Sequence, residues 1–206
     1  MLADGIAEAW DALVDLVLPA ACAGCRGSHR PLRRGVCPKC MAAVDDLVPH
    51  AVRPVPAPTG LPPCVALGRY EGVLRELLLS YKERGRHGLA VPLGALLAQG
   101  VALRDGAPVL LVPVPDTARA ARRRQGDHVS RLARHAVTKL RAAGQLAAVA
   151  SLLQALPRPD SAGLDSAARA VAAAAAFRLR PGRAAARLRE RVRASGARVV
   201  VVDDIL

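Results

Sequence analysis

The sequence predicts an α/β fold with a mainly parallel sheet, preceded by a small cysteine-rich module. Strand-like and helix-like segments alternate from Cys64 onward, an order typical of parallel strands joined by helices. Two continuous apolar runs, residues 109–114 and 199–202, are typical of strands buried on both faces of such a sheet. Four of the five cysteines lie within the first 40 residues, in two close pairs, and they set the module apart.

The composition favours a polyanionic partner. The chain has 206 residues, room for one ordinary domain or for one domain and a small module. Its 30 lysines and arginines outnumber 17 acidic residues, which gives a formal net charge of +13. This balance points to nucleic acid, phosphates or diphosphates, although GC-rich coding sequence also enriches arginine. Aromatic residues make up only 2% of the chain, which argues against recognition of single strands by base stacking.

The N-terminal segment is predicted to be a helix rather than a targeting sequence. Acidic and apolar residues recur at helical spacing over residues 1–18, and Pro19 ends the pattern. No apolar run approaches the roughly 18 to 20 residues that a membrane span needs. We therefore expect no membrane span and a cytoplasmic location, where cysteines are free thiols or metal ligands because disulfides are disfavoured.

Three segments are predicted along the chain. Residues 1–48 hold the N-terminal helix and the cysteine module, and residues 64–206 hold the α/β domain. Between them, residues 49–63 contain six prolines and are predicted to form a semi-rigid extended linker. The α/β domain is predicted to contain strands at 64–70, 109–114, 177–180 and 199–202, a loop at 157–163, and an alanine-rich helix ending at about 176. Helices are predicted at 128–143 and 183–195, and two earlier helices have apolar faces marked by residues between 73 and 78 and between 89 and 101.

The strongest local signal is a pair of Cys-x-x-Cys motifs, Cys22 with Cys25 and Cys37 with Cys40. Two such motifs complete a tetrahedral four-sulfur site, while nearby backbone amides turn toward the sulfurs. Because this site has no open coordination position, we predict structural zinc. The competing interpretations, four unrelated cysteines or a redox pair, fit the two matched spacings less well. Cys64, outside the motifs, is predicted to be a small core residue.

The second signal is an apolar strand that breaks into a rigid turn at Pro113, Val114 and Pro115. Ligands of α/β sheets bind beyond the carboxyl ends of the strands, and arginines placed there grip phosphates. The arginines that follow this turn are Arg119, Arg122, Arg123 and Arg124. A solvated basic loop is the equally weighted alternative.

The third signal is a pair of acids, Asp203 and Asp204, directly after the apolar run 199–202. At the carboxyl end of a strand, carboxylates accept hydrogen bonds from sugar hydroxyls or hold a divalent cation. Adjacent acids also cap helices that follow a strand.

Together and in this order, these motifs resemble the ComF family of competence-associated, phosphoribosyltransferase-like proteins. The resemblance covers nearly the whole chain, and the order of the motifs is its specific part. The matching features are the four-cysteine knuckle, residues 70–72, Tyr81 and Lys82, residues 84–86, residues 112–115, the arginine-rich turn with Gly126 and His128, residues 161–164, Arg169, Phe177, and residues 201–204.

The resemblance implies a type I phosphoribosyltransferase-like fold that binds phosphoribosyl diphosphate with Mg²⁺, in a protein linked to competence and DNA uptake. By analogy Asp203 and Asp204 would contact the ribose hydroxyls, and the turn at residues 113–115 would lie near the diphosphate. Lys82 and the arginines Arg122, Arg123 and Arg124 would be phosphate partners. The transfer itself would displace diphosphate at the anomeric carbon, helped mostly by electrostatic stabilisation.

Two departures from the family pattern bear on catalysis. The family signature continues after the two aspartates through Thr-Thr-Gly-x-Thr, whose backbone amides cradle the 5-phosphate, whereas this sequence stops at Leu206. We expect either a fragment of a longer product or a shortened form that does not catalyse transfer. At residues 124–128 the family more often has Arg-Gly, an aromatic residue and Asn-Gln.

The alternative function is that of a non-catalytic accessory factor in DNA uptake, which contacts DNA or another protein through its zinc module and arginine-rich faces. Residues 119–141 and 178–198 each hold eight basic residues, 16 of the 30 positive charges in the chain. A phosphoribosyl site would use only a few of them.

Overall fold

The computed structural model describes residues 21–28, 31–102, 107–124, 126–156 and 176–205. These residues form a mixed α/β structure that divides into two compact units, Met1–Pro92 and Leu93–Leu206. The predicted helix at residues 1–18, the loop at 157–163 and the alanine-rich helix lie outside the described residues. No helix in the described ranges is long and apolar enough to cross a membrane.

The first unit joins the cysteine module to a helix that follows the proline-rich stretch. Its elements are helix α1 (Pro38–Asp45), strands β1 (His50–Val52) and β2 (Cys64–Ala66), helix α2 (Gly72–Glu83), a 3-10 turn (His87–Leu89) and the start of helix α3 (Ala90–Val101). The strand predicted from Cys64 is present but ends at Ala66, and it pairs antiparallel with β1. The assignment of residues 49–63 as an interdomain linker stays a prediction.

The second unit is built around a parallel sheet. Its elements are β3 (Val109–Pro113), helices α4 (Ala118–Arg123) and α5 (His128–Ala142), strands β4 (Ala147–Val149), β5 (Leu153–Ala155) and β6 (Phe177–Leu179), helix α6 (Arg183–Ala194) and β7 (Arg198–Val202). Strands β4, β3 and β7 lie side by side in that order, and both pairings are parallel. Strands β5 and β6 form a separate antiparallel pair.

Strand β3 is the centre of the sheet, and its five residues are all buried. Leu111 lies in one apolar cluster with side chains of α3 and α5, whereas Leu110 and Val112 lie in a second cluster with Leu188 and Val192 of α6. Helices therefore cover both faces of β3. This burial explains why its sequence is continuously apolar rather than alternating.

Strand β7 is confirmed, but its predicted burial on both faces is wrong. Val200 and Val202 face the cluster beneath the sheet, whereas Val199 and Val201 are 48% and 60% exposed. Among the described strands β7 pairs only with β3, so it lies at an edge of the sheet. A run of four identical side chains contains no alternation, and the sequence could not show which face is open.

Helices α3 and α5 approach each other closely at Gly94. A Cβ at this position would lie 2.5 Å from the Cβ of His135 and 3.1 Å from the carbonyl oxygen of Leu132. Only glycine allows this contact without a shift of the helices. The contact supports α5, whose first residue belongs to the site described below.

Candidate functional site

The four cysteines of the two motifs form a cluster that could hold a structural metal such as zinc. The sulfur atoms of Cys22, Cys25, Cys37 and Cys40 all lie within 4.8 Å of one another. The Cys25 and Cys37 sulfurs are 3.9 Å apart. A tetrahedral ion about 2.3 Å from each sulfur would place the sulfurs roughly 3.8 Å apart, so the cluster has the dimensions of a four-thiolate site.

Local backbone structure brings these sulfurs together. Arg34 and Gly35, both with positive φ, form the two-residue turn of a short hairpin that ends at Val36, directly before Cys37. Cys37 is the N-cap of helix α1, and Pro38 is the first residue of the helix. Cys40 lies on the first helical turn. Arginine at a positive φ is uncommon, but two successive residues with positive φ are typical of the type I′ turn of a hairpin.

The polar surroundings of the cluster favour thiolates. The backbone amides of Gly24 and Cys37 donate to the Cys22 sulfur at 3.4 and 3.3 Å. Although burial opposes its ionisation, these and other backbone hydrogen bonds lower the pKa of Cys22 to about 6. Burial and the neighbouring sulfurs raise the pKa of Cys40. A divalent cation would balance the negative charge of several neighbouring thiolates and so favour ionisation of Cys40 as well. The chemistry of the cluster is therefore suited to a metal ion.

The cysteine module is attached to α2 within the first unit. The Ser80 hydroxyl donates to the Ala23 carbonyl at 3.0 Å, and the Arg26 guanidinium donates through Nε and Nη2 to one Glu76 oxygen at 3.1 and 2.6 Å. The Arg26 charge and hydrogen bonds hold the pKa of Glu76 below its usual value. Gly24 lies where a Cβ would be 3.1 Å from Val73 of α2.

A second candidate site lies at the carboxyl edge of the parallel sheet, where β3 and β7 end. The strand that follows β3 in the sequence of the sheet, β4, lies on one side of β3, and β7 lies on its other side. Ligands of open α/β sheets bind beyond the carboxyl ends of neighbouring strands. Asp116 follows β3, and Asp203 and Asp204 follow β7, so three acids lie at this edge of the sheet.

His128 connects the two strand ends. Its Nδ1 lies 2.5 Å from Oδ2 of Asp116, and its Nε2 lies 3.1 Å from Oδ2 of Asp204. Arg124 donates from Nη1 to the other Asp116 oxygen at 2.9 Å. The side chains of these four residues are 5 to 14% exposed. Arg124, Asp116, His128 and Asp204 therefore form a buried chain of alternating charges, which we call the charge chain.

The carboxylates keep His128 protonated. Burial of the ring opposes the charged form, but hydrogen bonds to Asp116 and Asp204, with their negative charges, raise the pKa of His128 to about 9. At neutral pH the ring is an imidazolium that donates to both carboxylates. With His128 protonated, two positive and two negative charges balance within the charge chain.

The structure brings together only part of the predicted site. Pro113 ends β3, and the Val114 amide donates to the Val202 carbonyl at 2.9 Å, which places the turn and the acids of residues 203–204 side by side. Asp203 is exposed, and its Oδ1 accepts the Asp204 amide at 2.8 Å. Pro115 is half-buried in this turn.

The residues predicted to bind phosphate differ in exposure and in the elements that carry them. Arg122 and Arg123 are exposed on α4, whereas Arg124 is turned to Asp116. Lys82 is half-buried on α2, in the first unit. Their roles as phosphate partners stay predictions.

Sequence reasoning missed the roles of Asp116 and His128. In the sequence His128 is one residue of the arginine-rich turn with no function predicted for it, and Asp116 stands one residue beyond the turn at residues 113–115. The sequence does hold one usable signal, because an acid follows each of the two neighbouring strands β3 and β7. His128, the common partner of Asp116 and Asp204, lies 76 residues before Asp204 in the chain, so only the folded structure shows that they meet.

Comparisons with protein-family models, with curated proteins and with solved structures found no match to this chain.

Proposed function

We propose that the protein is a phosphoribosyltransferase-type protein of the ComF kind, with an N-terminal zinc module, that binds phosphoribosyl diphosphate with Mg²⁺ at the carboxyl edge of its parallel sheet. The observation that supports this proposal is the meeting of the proline turn after β3 with the two acids after β7. It is the same combination of motifs on which the family resemblance rests.

The residues at this edge offer the contacts that such a ligand needs. Carboxylates at residues 203 and 204 are suited to accept hydrogen bonds from vicinal ribose hydroxyls. The exposed guanidinium groups of Arg122 and Arg123 are suited to the diphosphate. Mg²⁺ would neutralise part of the diphosphate charge and be held mainly by phosphate oxygens, as is usual for this ion.

Transfer would be the displacement of diphosphate from the anomeric carbon by an acceptor nucleophile. The residues of this chain would act by holding the ribose and by stabilising the charge that develops on the departing diphosphate. The cysteine module would act structurally, by ordering the first unit.

Calorimetric titration of phosphoribosyl diphosphate tests this function. We expect binding that requires Mg²⁺ and that weakens at least about tenfold in Asp203→Asn/Asp204→Asn, because hydrogen bonds to charged groups are lost. The matched control is Asp45→Asn/Asp46→Asn, which changes two adjacent exposed acids at the end of α1 and should bind as the wild type does. Unchanged affinity in the first double variant would refute the site.

A second function, binding of duplex DNA, is favoured by the surface of α6. Arg183, Arg187 and Arg191 recur every four residues and are exposed, while Leu188 and Val192 of the same helix pack against the sheet. A row of guanidinium groups along one helix fits the spacing and charge of a phosphate backbone.

The salt dependence of DNA affinity separates this second function from the first. We expect the affinity for duplex DNA to fall steeply with salt, and the triple change of Arg183, Arg187 and Arg191 to Gln to reduce the log–log slope by up to about 2.7. The same three changes to Lys preserve the charge and should preserve the slope. An affinity that barely responds to salt would exclude an electrostatic DNA surface.

A further inference from the structure

The four residues of the cysteine cluster differ in their access to solvent. Cys22, Cys37 and Cys40 are each no more than 2% exposed, whereas Cys25 is exposed. The Cys25 sulfur lies 3.9 Å from the sulfur of Cys37, which belongs to the other Cys-x-x-Cys motif. The cluster thus presents one cysteine to solvent, with a buried cysteine in contact with it.

We propose that Cys25 is a site of oxidation by hydrogen peroxide, and that its oxidation joins it to Cys37 in a disulfide and releases the metal of the cluster. This inference rests on the zinc module of the proposed function, and it is independent of the binding of phosphoribosyl diphosphate. It adds a chemical reactivity to a site whose role in the fold is structural.

The hydrogen bonds of the cluster distinguish Cys25 from its neighbour in the same motif. The Cys22 sulfur accepts from the backbone amides of Gly24 and Cys37, which stabilise its negative charge and make it a weaker nucleophile. In the part of the chain that the structure describes, no backbone amide donates to the Cys25 sulfur. Because oxidation depends on thiolate character and on exposure, Cys25 is the first sulfur that peroxide should reach.

The reaction balances over two steps. The Cys25 thiolate attacks one oxygen of hydrogen peroxide, the O–O bond breaks, and hydroxide leaves, which gives a sulfenic acid. The Cys37 thiolate then attacks the Cys25 sulfur, a second hydroxide leaves, and the S–S bond forms. The two sulfurs lose two electrons and the peroxide gains them, while protons from the solvent convert both hydroxides to water. The sulfurs approach from 3.9 Å to about 2.05 Å, so only a small local shift is needed.

The disulfide leaves the cluster with too few ligands for a structural metal. Thiolates bind the metal, whereas the sulfurs of a disulfide carry no negative charge. After oxidation only Cys22 and Cys40 remain as thiolates, and a structural zinc site needs four protein ligands. Oxidation of one exposed cysteine therefore empties the whole site.

Loss of the metal reaches helix α2, because the motif Cys22–Cys25 packs on one face of that helix. The α2 residues that contact it are spaced by three and four positions: Val73, Glu76 and Ser80. The Ser80 hydroxyl donates to the Ala23 carbonyl, Arg26 donates to Glu76, and a Cβ on Gly24 would lie 3.1 Å from Val73. When the motif loses its metal, these contacts no longer hold α2.

Treatment of the zinc-loaded full chain with hydrogen peroxide tests the proposal. Zinc release is followed with a colorimetric chelator, and the disulfide is located by peptide mass spectrometry after alkylation of free thiols. Hydrogen exchange is measured for the peptide that covers α2. We expect loss of one zinc per chain, a disulfide between Cys25 and Cys37, and faster exchange in α2. Dithiothreitol with added zinc should reverse all three changes.

Cys25→His is the decisive variant, because an imidazole completes a zinc site of three cysteines and one histidine but cannot form a disulfide. It should keep its zinc at a peroxide concentration that empties the wild type. Cys64→Ser, the control outside the cluster, should lose zinc at the wild-type rate. If Cys25→His binds no zinc, the disulfide located in the wild type decides the question.

Zinc that stays bound to the wild type in peroxide would overturn the proposal, as would a disulfide that does not include Cys25. A chain that carries no zinc before treatment would overturn the metal centre and this inference together. Each of these failures leaves the binding of phosphoribosyl diphosphate to its own titration.

Discussion

Removal of metal from the four-cysteine cluster is expected to unfold the cysteine module and loosen its contact with α2. The module has a small apolar interior, formed by Cys22, Ala23, Val36, Cys37, Cys40 and Val44. So few buried side chains cannot order two knuckles and an eight-residue helix without a metal. Structural zinc contributes roughly 10 kcal/mol or more of apparent binding free energy in small zinc domains, and most of it should be lost in Cys40→Ser.

The measurement is native mass spectrometry combined with circular dichroism. We expect one zinc per chain in the wild-type protein, no bound zinc in Cys40→Ser, and a loss of helical signal on chelation. Cys64→Ser is the matched control, because Cys64 lies on β2 outside the cluster and its thiol donates only to the nearby Pro62 carbonyl at 3.3 Å. A metal-free protein that keeps its helical signal and melting temperature would contradict a structural metal.

The second large effect is a loss of stability at alkaline pH through His128. Its pKa is raised from 6.5 in the unfolded chain to about 9 in the folded one, so the protonated ring stabilises the folded state. This stabilisation is complete below about pH 6.5 and is lost as the pH rises through about 9, and we expect it to amount to roughly 3 kcal/mol. Asp116→Asn should cost about 3 to 5 kcal/mol at neutral pH, because it leaves a buried imidazolium and Arg124 short of a carboxylate.

Urea unfolding between about pH 6 and pH 10 measures both quantities. The free energy of unfolding of the wild type should fall across this pH range. In His128→Gln it should fall less, and the difference should equal the stabilisation that the protonated His128 ring contributes. His50→Gln is the control, because His50 is exposed and the protein should keep the wild-type pH dependence. Identical pH dependence in wild type and His128→Gln would show that the charge chain does not stabilise the fold.

The elements that could be predicted from the sequence are those with a strong local pattern. Helix α5 was expected at residues 128–143 and is found at His128–Ala142, because its apolar residues follow the helical period and Asp127 supplies a cap. Strand β3 was expected from its continuous apolar run. The cysteine spacing gave the correct four members of the cluster, since local turns alone bring each pair together.

The rest depends on contacts between distant segments. Strand β4 (Ala147–Val149) is short and alanine-rich, so only its pairing with β3 makes it a strand. The exposed face of β7 follows from its edge position rather than from its residues. His128 is hydrogen-bonded to Asp116, 12 residues before it in the chain, and to Asp204, 76 residues after it. No local sequence pattern predicts that these three side chains meet.

The most direct test of the account is to map phosphoribosyl diphosphate onto the backbone amides of the labelled protein in the presence of Mg²⁺. We expect the largest chemical-shift changes at the carboxyl edge of the sheet, at Val114 and Asp203 and at the start of α4 near Ala118. Changes confined to other surfaces, such as the arginine row of α6, would contradict a ligand site at the carboxyl ends of β3 and β7.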